Sequence, residues 1–133
     1  MDKTTNFLAI LKAGAISRRK TIFVPNTKFN WDILDFFYSH GYIAGFVVNL
    51  DRRLIEVKFR YSELNVSPLA KLKIISKPGL RRYFNYRQLV LHFKNDPYVL
   101  FSTIRGLKFS GEIISNKVSQ GRLGGEAICR LVY

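Results

Sequence analysis

The chain has one cysteine, Cys129, and two histidines, His40 and His92, in 133 residues. A lone thiol cannot close an internal disulfide, and neither histidine lies near it in sequence. The spacing of a zinc site is missing, so no metal or cofactor is expected. Catalytic sets are equally absent: there is no nucleophile elbow, no paired metal-binding carboxylates and no cysteine with an assigned histidine. No run approaches the roughly 18 apolar residues that a membrane-spanning helix needs. Phe7–Ile16 is apolar but short and contains Lys12. It lacks the basic lead of a secretory signal and the Arg-rich character of an organelle presequence. Gly121, Gly124 and Gly125 form a glycine-rich segment without the Lys and Ser or Thr of a Walker loop, so it is not a nucleotide-binding loop. Acid is scarce beside base. Nine Asp and Glu stand against twenty-two Lys and Arg, a formal charge of +13.

That excess repels itself in a folded chain, and a dense polyanion is the simplest partner that neutralises it. Nucleic acid leads, ahead of an anionic membrane surface. The hydrophobic fraction of 47% is that of a folded protein, sized for one domain or two small lobes. Such a chain can bury a modest core.

Along the chain, Phe7, Leu8, Ile10, Leu11 and Ala15 recur at helical spacing, which predicts a helix over 4–14. Asp2, Thr4 and Thr5 offer caps, and Gly14 marks an end or a close approach. Arg18-Arg19-Lys20 is a basic turn, followed by a strand at Thr21–Val24 that Pro25 stops. Asn30 is placed to cap a helix over 31–40, with Asp32 in its first turn and Gly41 at its end. Tyr42–Leu50 and Leu54–Tyr61 read as a hairpin around Asp51-Arg52-Arg53. In its second strand Ile55, Val57 and Phe59 alternate with Glu56, Lys58 and Arg60. Ser62–Pro68 is a polar break. Beyond it, strands are expected at Leu69–Ser76, Arg81–Tyr86, Tyr98–Thr103 and Ala127–Val132. Lys77-Pro78-Gly79 should turn the chain, Gln88–Lys94 should make a helical turn, and Ser115 caps a short helix near 116–120. The fold class is α+β: an α/β lobe over residues 1–64 and a mainly β lobe over 65–133.

The charge is uneven. From Leu64 through Asn95 there is no acid, while Lys71, Lys73, Lys77, Arg81, Arg82, Arg87 and Lys94 are all basic. Tyr83, Phe84, Tyr86 and His92 lie among them. Cations grip phosphates and exposed rings stack on ribose or unpaired bases. The competing reading is of half-buried strand tyrosines on a solvated charged face. Ser102, Thr103 and Gly106 close an apolar strand, where hydroxyls can bond RNA or simply satisfy local backbone. Gly124 and Gly125 permit close approach to another surface, or a tight bend. Cys129, among Ala127, Ile128 and Leu131, reads as an interior strand residue, with Arg130 facing away.

These residues together resemble the eighth protein of the small ribosomal subunit in its bacterial and organellar form. The likeness covers nearly the whole chain. Asp2, Leu8, Leu11, Lys12 and Gly14 fit the family's opening helix, Val24, Pro25 and Lys28 the next segment, and Gly41-Tyr42-Ile43 a later turn. Ser76-Lys77-Pro78-Gly79-Leu80-Arg81 with Tyr83 is similar to its Ser-Arg/Lys-Pro-Gly-Leu-Arg-x-Tyr run. Ser102-Thr103 with Gly106 matches its central signature, and Leu123-Gly124-Gly125-Glu126 with Ile128-Cys129 its closing one.

The resemblance implies two lobes and direct binding to a helical region of small-subunit ribosomal RNA, beside neighbouring ribosomal proteins. It implies contact through Ser102, Thr103 and Ile104 and through Leu123, Gly124, Gly125 and Glu126; Arg105 and Arg122 adjoin these loops and are candidate contacts with them. Further contacts fall at Lys77, Pro78, Gly79, Arg81, Arg82 and Tyr83, and at Lys12 and Lys28 of the first lobe. Glu126 would orient a loop, since an unpaired carboxylate facing phosphate is repelled. Two departures stand out: Ile104 replaces a usual hydroxyl residue, and the stretch between Gly106 and Gly124 is longer, with Lys108 where an apolar residue is usual and Ser110-Gly111-Glu112 in the extension. The expected function is structural and non-catalytic, with no small-molecule substrate and no membrane insertion. A free RNA-binding translational repressor is the alternative, and a protein–protein adaptor would need an exposed apolar surface. Abundant Phe, Tyr, Ile, Asn and Lys point to an AT-rich organelle genome, the mitochondrion first, with the bacterial cytoplasm and the plastid as alternatives.

Overall fold

The computed structural model describes residues 3–49, 53–77, 79–115 and 123–131. The chain divides into two compact units, Met1–Leu72 and Lys73–Tyr133. The class is α+β, as expected.

In the first unit, α1 (Lys3–Ile16) runs past Gly14. That glycine marks close approach instead of an end: a Cβ there would lie 2.9 Å from Phe59 Cζ and 3.0 Å from Ile22 Cγ2. The helix closes at Arg18, held at φ +58°. There the Arg18 and Arg19 amides donate back to the carbonyls of Ala15 and Gly14 at 3.2 and 3.1 Å. After β1 (Thr21–Pro25), α2 (Lys28–Ser39) starts three residues before the expected position. Thr27, not Asn30, is the cap, accepting the Asn30 amide at 3.2 Å. Asn30 is buried and its side-chain amide donates to the Pro25 carbonyl at 3.0 Å, so it serves inside the helix and Asp32 falls beyond the first turn. Gly41, at φ +79°, ends α2 as expected, its amide donating to Tyr38 and that of Tyr42 to Phe37.

β2 (Ile43–Asn49) and β3 (Leu54–Phe59) form the hairpin, and the antiparallel sheet has the order β1-β3-β2. Residues 50–52 of its turn lie outside the described residues. The alternation holds: Ile55, Val57 and Phe59 are buried, and Ile22 and Val24 pair opposite Val57 and Ile55. The strand expected over Leu69–Ser76 is largely replaced by a 3₁₀ turn, Pro68–Lys71, and only Lys73–Ile74 pairs. Ser67 caps that turn by accepting the Leu69 amide at 3.2 Å, and Pro68 has no N–H to give a ladder. Leu69 and Leu72, three apart, are both buried, a spacing that suits a turn and not a strand.

The second unit comprises β4 (Lys73–Ile74), β5 (Tyr83–Phe84), α3 (Tyr86–Phe93), β6 (Val99–Thr103), β7 (Gly106–Phe109), α4 (Ser110–Ser115) and β8 (Gly125–Arg130). The sheet order is β4-β8-β6-β7, and β5 shares with β4 one edge of β8. The expected strand over Arg81–Tyr86 is cut short because Asn85 opens α3 with a reciprocal cap: it accepts the Gln88 amide at 2.8 Å while Gln88 accepts the Asn85 amide at 3.1 Å. β7 and α4 occupy the stretch expected to be an extension, where the sequence pattern predicts neither. Ser110 fixes them: its buried hydroxyl donates to the Asp96 carbonyl at 2.6 Å and accepts the Val99 amide at 3.4 Å. The helix expected near 116–120 lies outside the described residues.

Phe84, Phe93 and Phe101 meet edge-to-face at 5.0 to 6.1 Å, and Leu89, Val99, Ile113, Leu123 and Ala127 complete that core. Cys129 is fully buried, and burial pushes its thiol up to about 12. Arg130 does face away, pairing with Asp96 at 2.7 Å.

Candidate nucleic-acid interface

The site is built on β8. Its residue Glu126 pairs with Tyr83 of β5 on one side and Ser102 of β6 on the other, and Ser102 pairs with Leu107 of β7. Directly paired residues share a sheet face. Tyr83, Glu126 and Ser102 therefore stand in one cross-strand row, opposite the face where Phe84, Phe101 and Ala127 enter the aromatic core. Tyr83 is 67% exposed and the other two are half-buried.

Around this row the chain presents cations. Arg81 donates to Glu126 at 3.1 Å across 45 residues of sequence, so the one carboxylate of the row is engaged in holding a guanidinium. Lys77, Arg82 and Arg105 are exposed and have no carboxylate partner among the described residues. Arg82 lies over the Phe84 ring, 5.8 Å from its centroid. The unit carries eleven Lys and Arg against three acids, Asp96, Glu112 and Glu126.

Two local devices aim these groups. Ser76 is buried: its hydroxyl donates to the Ala127 carbonyl at 2.6 Å and accepts the Arg82 amide at 3.1 Å. Between these anchors the Lys77–Leu80 turn closes, with amide-to-carbonyl bonds of 2.9 and 3.1 Å and Gly79 at φ +80°. Thr103 sets the second device. Its hydroxyl donates to the Gly106 carbonyl at 2.7 Å and accepts the Arg105 amide at 3.1 Å, folding a tight hairpin tip. Ile104 caps that tip at 94% exposure, and Gly106 takes φ +101°. The Ser102 hydroxyl, by contrast, bonds to no described residue.

Gly124 and Gly125 are both packed against backbone. A Cβ on Gly124 would meet the Phe84 carbonyl oxygen at 2.5 Å and Asn85 Cα at 2.8 Å. One on Gly125 would overlap the Ser102 carbonyl and stand 3.3 Å from Thr103 Cα. Both glycines also border an open cleft lined by Tyr83, Phe84, Asn85, Tyr86 and Gln88.

The structure thus gathers Lys77, Gly79, Arg81, Arg82, Tyr83, Ser102, Thr103, Ile104, Arg105, Gly124, Gly125 and Glu126 in one unit. Lys12, half-buried on α1, and Lys28, exposed at the start of α2, belong to the other. Pro78 and Arg122 lie outside the described residues. Sequence reasoning places Ser76 in a motif but misses its positioning role. A signal for it exists: Ser76 is the polar residue that ends the run Leu72–Ile75 one step before a turn.

A basic α+β unit that sets a hydroxyl and an exposed ring on one sheet face, with unpaired cations in the adjoining turns, has the features of a polyanion-binding class of protein. The chain belongs to the ribosomal protein S8 family, whose pattern matches residues 2–133. It is 28% identical to small ribosomal subunit protein uS8m of Acanthamoeba castellanii over 98% of this chain and 99% of that one. It is 30% identical to uS8 of Malacoplasma penetrans, over 96% and 95%, and 30% identical to uS8c of Tupiella akineta, over 98% and 97%.

Proposed function

We propose that this protein is a structural constituent of the small ribosomal subunit that binds small-subunit ribosomal RNA directly and stabilises its folded shape. The observation that carries the RNA site is the row Tyr83–Glu126–Ser102, flanked by Lys77, Arg82 and Arg105 without carboxylate partners among the described residues. Lysine and arginine supply salt-sensitive affinity for phosphate, and Lys12 and Lys28 add to it from the first unit. Ser102 offers a free donor and acceptor to a ribose hydroxyl or base edge in the shallow groove, where RNA helices are read. Tyr83 offers a ring for stacking. Ile104 replaces a polar contact with an apolar one against sugar or base at the hairpin tip. Gly79 keeps the basic turn tight. Glu126 acts by holding Arg81, not by touching phosphate.

No step of this function needs catalysis, and the chemistry is recognition alone. The relatives bear names of ribosomal-subunit proteins, which favours assembly into a subunit over a free repressor. Within that reading we place the ribosome in a mitochondrion, on the composition that includes eleven Phe and seven Tyr. Organelle fractionation tests that assignment.

The decisive test for the RNA site is Ser102→Ala, measured on small-subunit ribosomal RNA and on a scrambled RNA of equal length. Loss of one hydrogen bond to the cognate RNA should cost about 1 kcal/mol, close to fivefold in affinity, with an unchanged melting temperature. Equal losses on both RNAs would remove Ser102 from the recognition site.

A further inference from the structure

The outer side of α2 bears Trp31, Asp35 and Tyr38, spaced four and three apart, while Ile33, Leu34 and Phe37 are buried. Trp31 is 42% and Tyr38 54% exposed. Phe46 of β2 stands against both rings edge-to-face, 6.0 Å from Trp31 at 87° and 6.5 Å from Tyr38 at 82°. The three rings form one half-open patch, and Asp35 sits on the helix between two of them, a turn from each. Among the described residues, Asp35 has no cationic partner.

The patch borders a sheet edge. In the order β1-β3-β2, β2 pairs only with β3 among the described residues, so its far side keeps unspent backbone donors and acceptors. Gly45 in that strand would carry a Cβ with nothing within 4 Å. Such an edge is a template for an added extended segment.

Charge selects the occupant. From Phe29 to Ser39 the helix bears Asp32 and Asp35 and neither Lys nor Arg, and Lys28 stands at its first position. On a chain of formal charge +13, this stretch of helix carries carboxylates without a cation. A guanidinium can stack on an aromatic ring and pair with a carboxylate at the same time. We propose that this patch and the β2 edge receive an extended, arginine-bearing segment of another polypeptide. The segment's backbone pairs with β2, and one arginine seats at Asp35 between Trp31 and Tyr38. The inference does not rest on the Tyr83–Glu126–Ser102 row, since it uses other residues and the opposite charge.

Trp31 is the chain's only tryptophan, so its emission reports directly on the patch. The experiment titrates the full chain, at about 0.15 M salt to screen long-range repulsion, with the peptide acetyl-Thr-Arg-Val-Arg-Thr-amide. A saturable change in emission is expected, and none with Glu in place of Arg. Asp35→Asn should weaken binding about fivefold and Tyr38→Leu about threefold, the scale of one exposed ion pair and one exposed cation–π contact. Both side chains are exposed, so both variants should melt as the parent does. No saturable change, or an Asp35→Asn curve that overlays the parent, overturns the proposal. So does a short oligouridine that shifts Trp31 emission more strongly in Asp35→Asn than in the parent, since that would make the patch an RNA surface.

Discussion

Gly125→Ala tests whether the glycine pair is there for the protein or for its ligand. In strand β8, Gly125 pairs with Phe84 on one side and lies against Ser102 and Thr103 on the other. A single methyl would overlap the Ser102 carbonyl oxygen and come within 3.0 Å of its carbon. Neither is the far end of a flexible side chain, so β6 or β8 must shift. Overpacking typically costs ~1–3 kcal/mol, and a backbone obstacle puts this case at the upper end, about 3 kcal/mol. For a chain of this length each kcal/mol moves the melting temperature by roughly 4 °C, so a drop of about 12 °C is expected. The assay pairs a thermal melt followed by circular dichroism with an RNA filter-binding titration below the melting point. Gly45→Ala is the control, with no atom near its Cβ, and should stay within about 0.5 kcal/mol of the parent. A Gly125→Ala protein that melted like the parent but lost RNA binding would refute the packing argument and move the glycine to the RNA surface. One that kept both would refute the geometry itself.

Three further outcomes are expected. Lys77→Ala and Arg82→Ala should each lower the slope of log affinity against log salt by about one, and an unchanged slope in both would take these side chains off the phosphates. Ser76→Ala should cost about 1–3 kcal/mol in urea denaturation, since a buried hydroxyl that bridges the Ala127 carbonyl and Arg82 amide is removed; a loss under about 0.5 kcal/mol would deny it the anchoring role. Cys129 keeps its proton in the fold up to about 12, whereas the unfolded chain gives it up near the ordinary thiol value of 9.0. Its contribution is intact below 9.0 and is lost as pH rises toward about 12, so Cys129→Ala should flatten the alkaline fall in stability relative to the parent.

Local periodicity carries much of the fold. The β2–β3 hairpin is legible because Ile55, Val57 and Phe59 alternate with polar residues, and a period of two places all three on one face only in an extended strand. The start of α2 is not, because Thr27 and Asn30 are both cap residues and only the burial of Asn30 decides between them. The stretch after Leu69 misleads for a similar reason: its apolar residues fit a strand until Ser67 and Pro68 are seen to start a turn. β7 and α4 are hidden because Ser110 acts on Asp96 and Val99, more than ten residues away. The site shows the same division. The residue types proposed for the site come from the acid-free run and the family likeness. That Arg81 is held by Glu126, or that Ser102 stands in line with Tyr83, depends on β5, β8 and β6 pairing across the unit, which no local pattern encodes.

The two adjacent hydroxyls differ in what they bond. Thr103 has its proton on the Gly106 carbonyl and accepts the Arg105 amide, so its oxygen is largely consumed in making the hairpin tip. One residue earlier the strand alternation turns Ser102 to the face away from the aromatic core, and its hydroxyl bonds to no described residue. Thr103→Ala should therefore loosen the tip and weaken cognate and scrambled RNA alike, by displacing Ile104 and Arg105 together. Ser102→Ala should leave the tip intact and fall on the cognate RNA. If instead the two variants gave the same ratio of losses, the distinction between a hydroxyl that shapes the loop and one that reads the RNA would not hold, and the pair would have to be treated as a single structural unit.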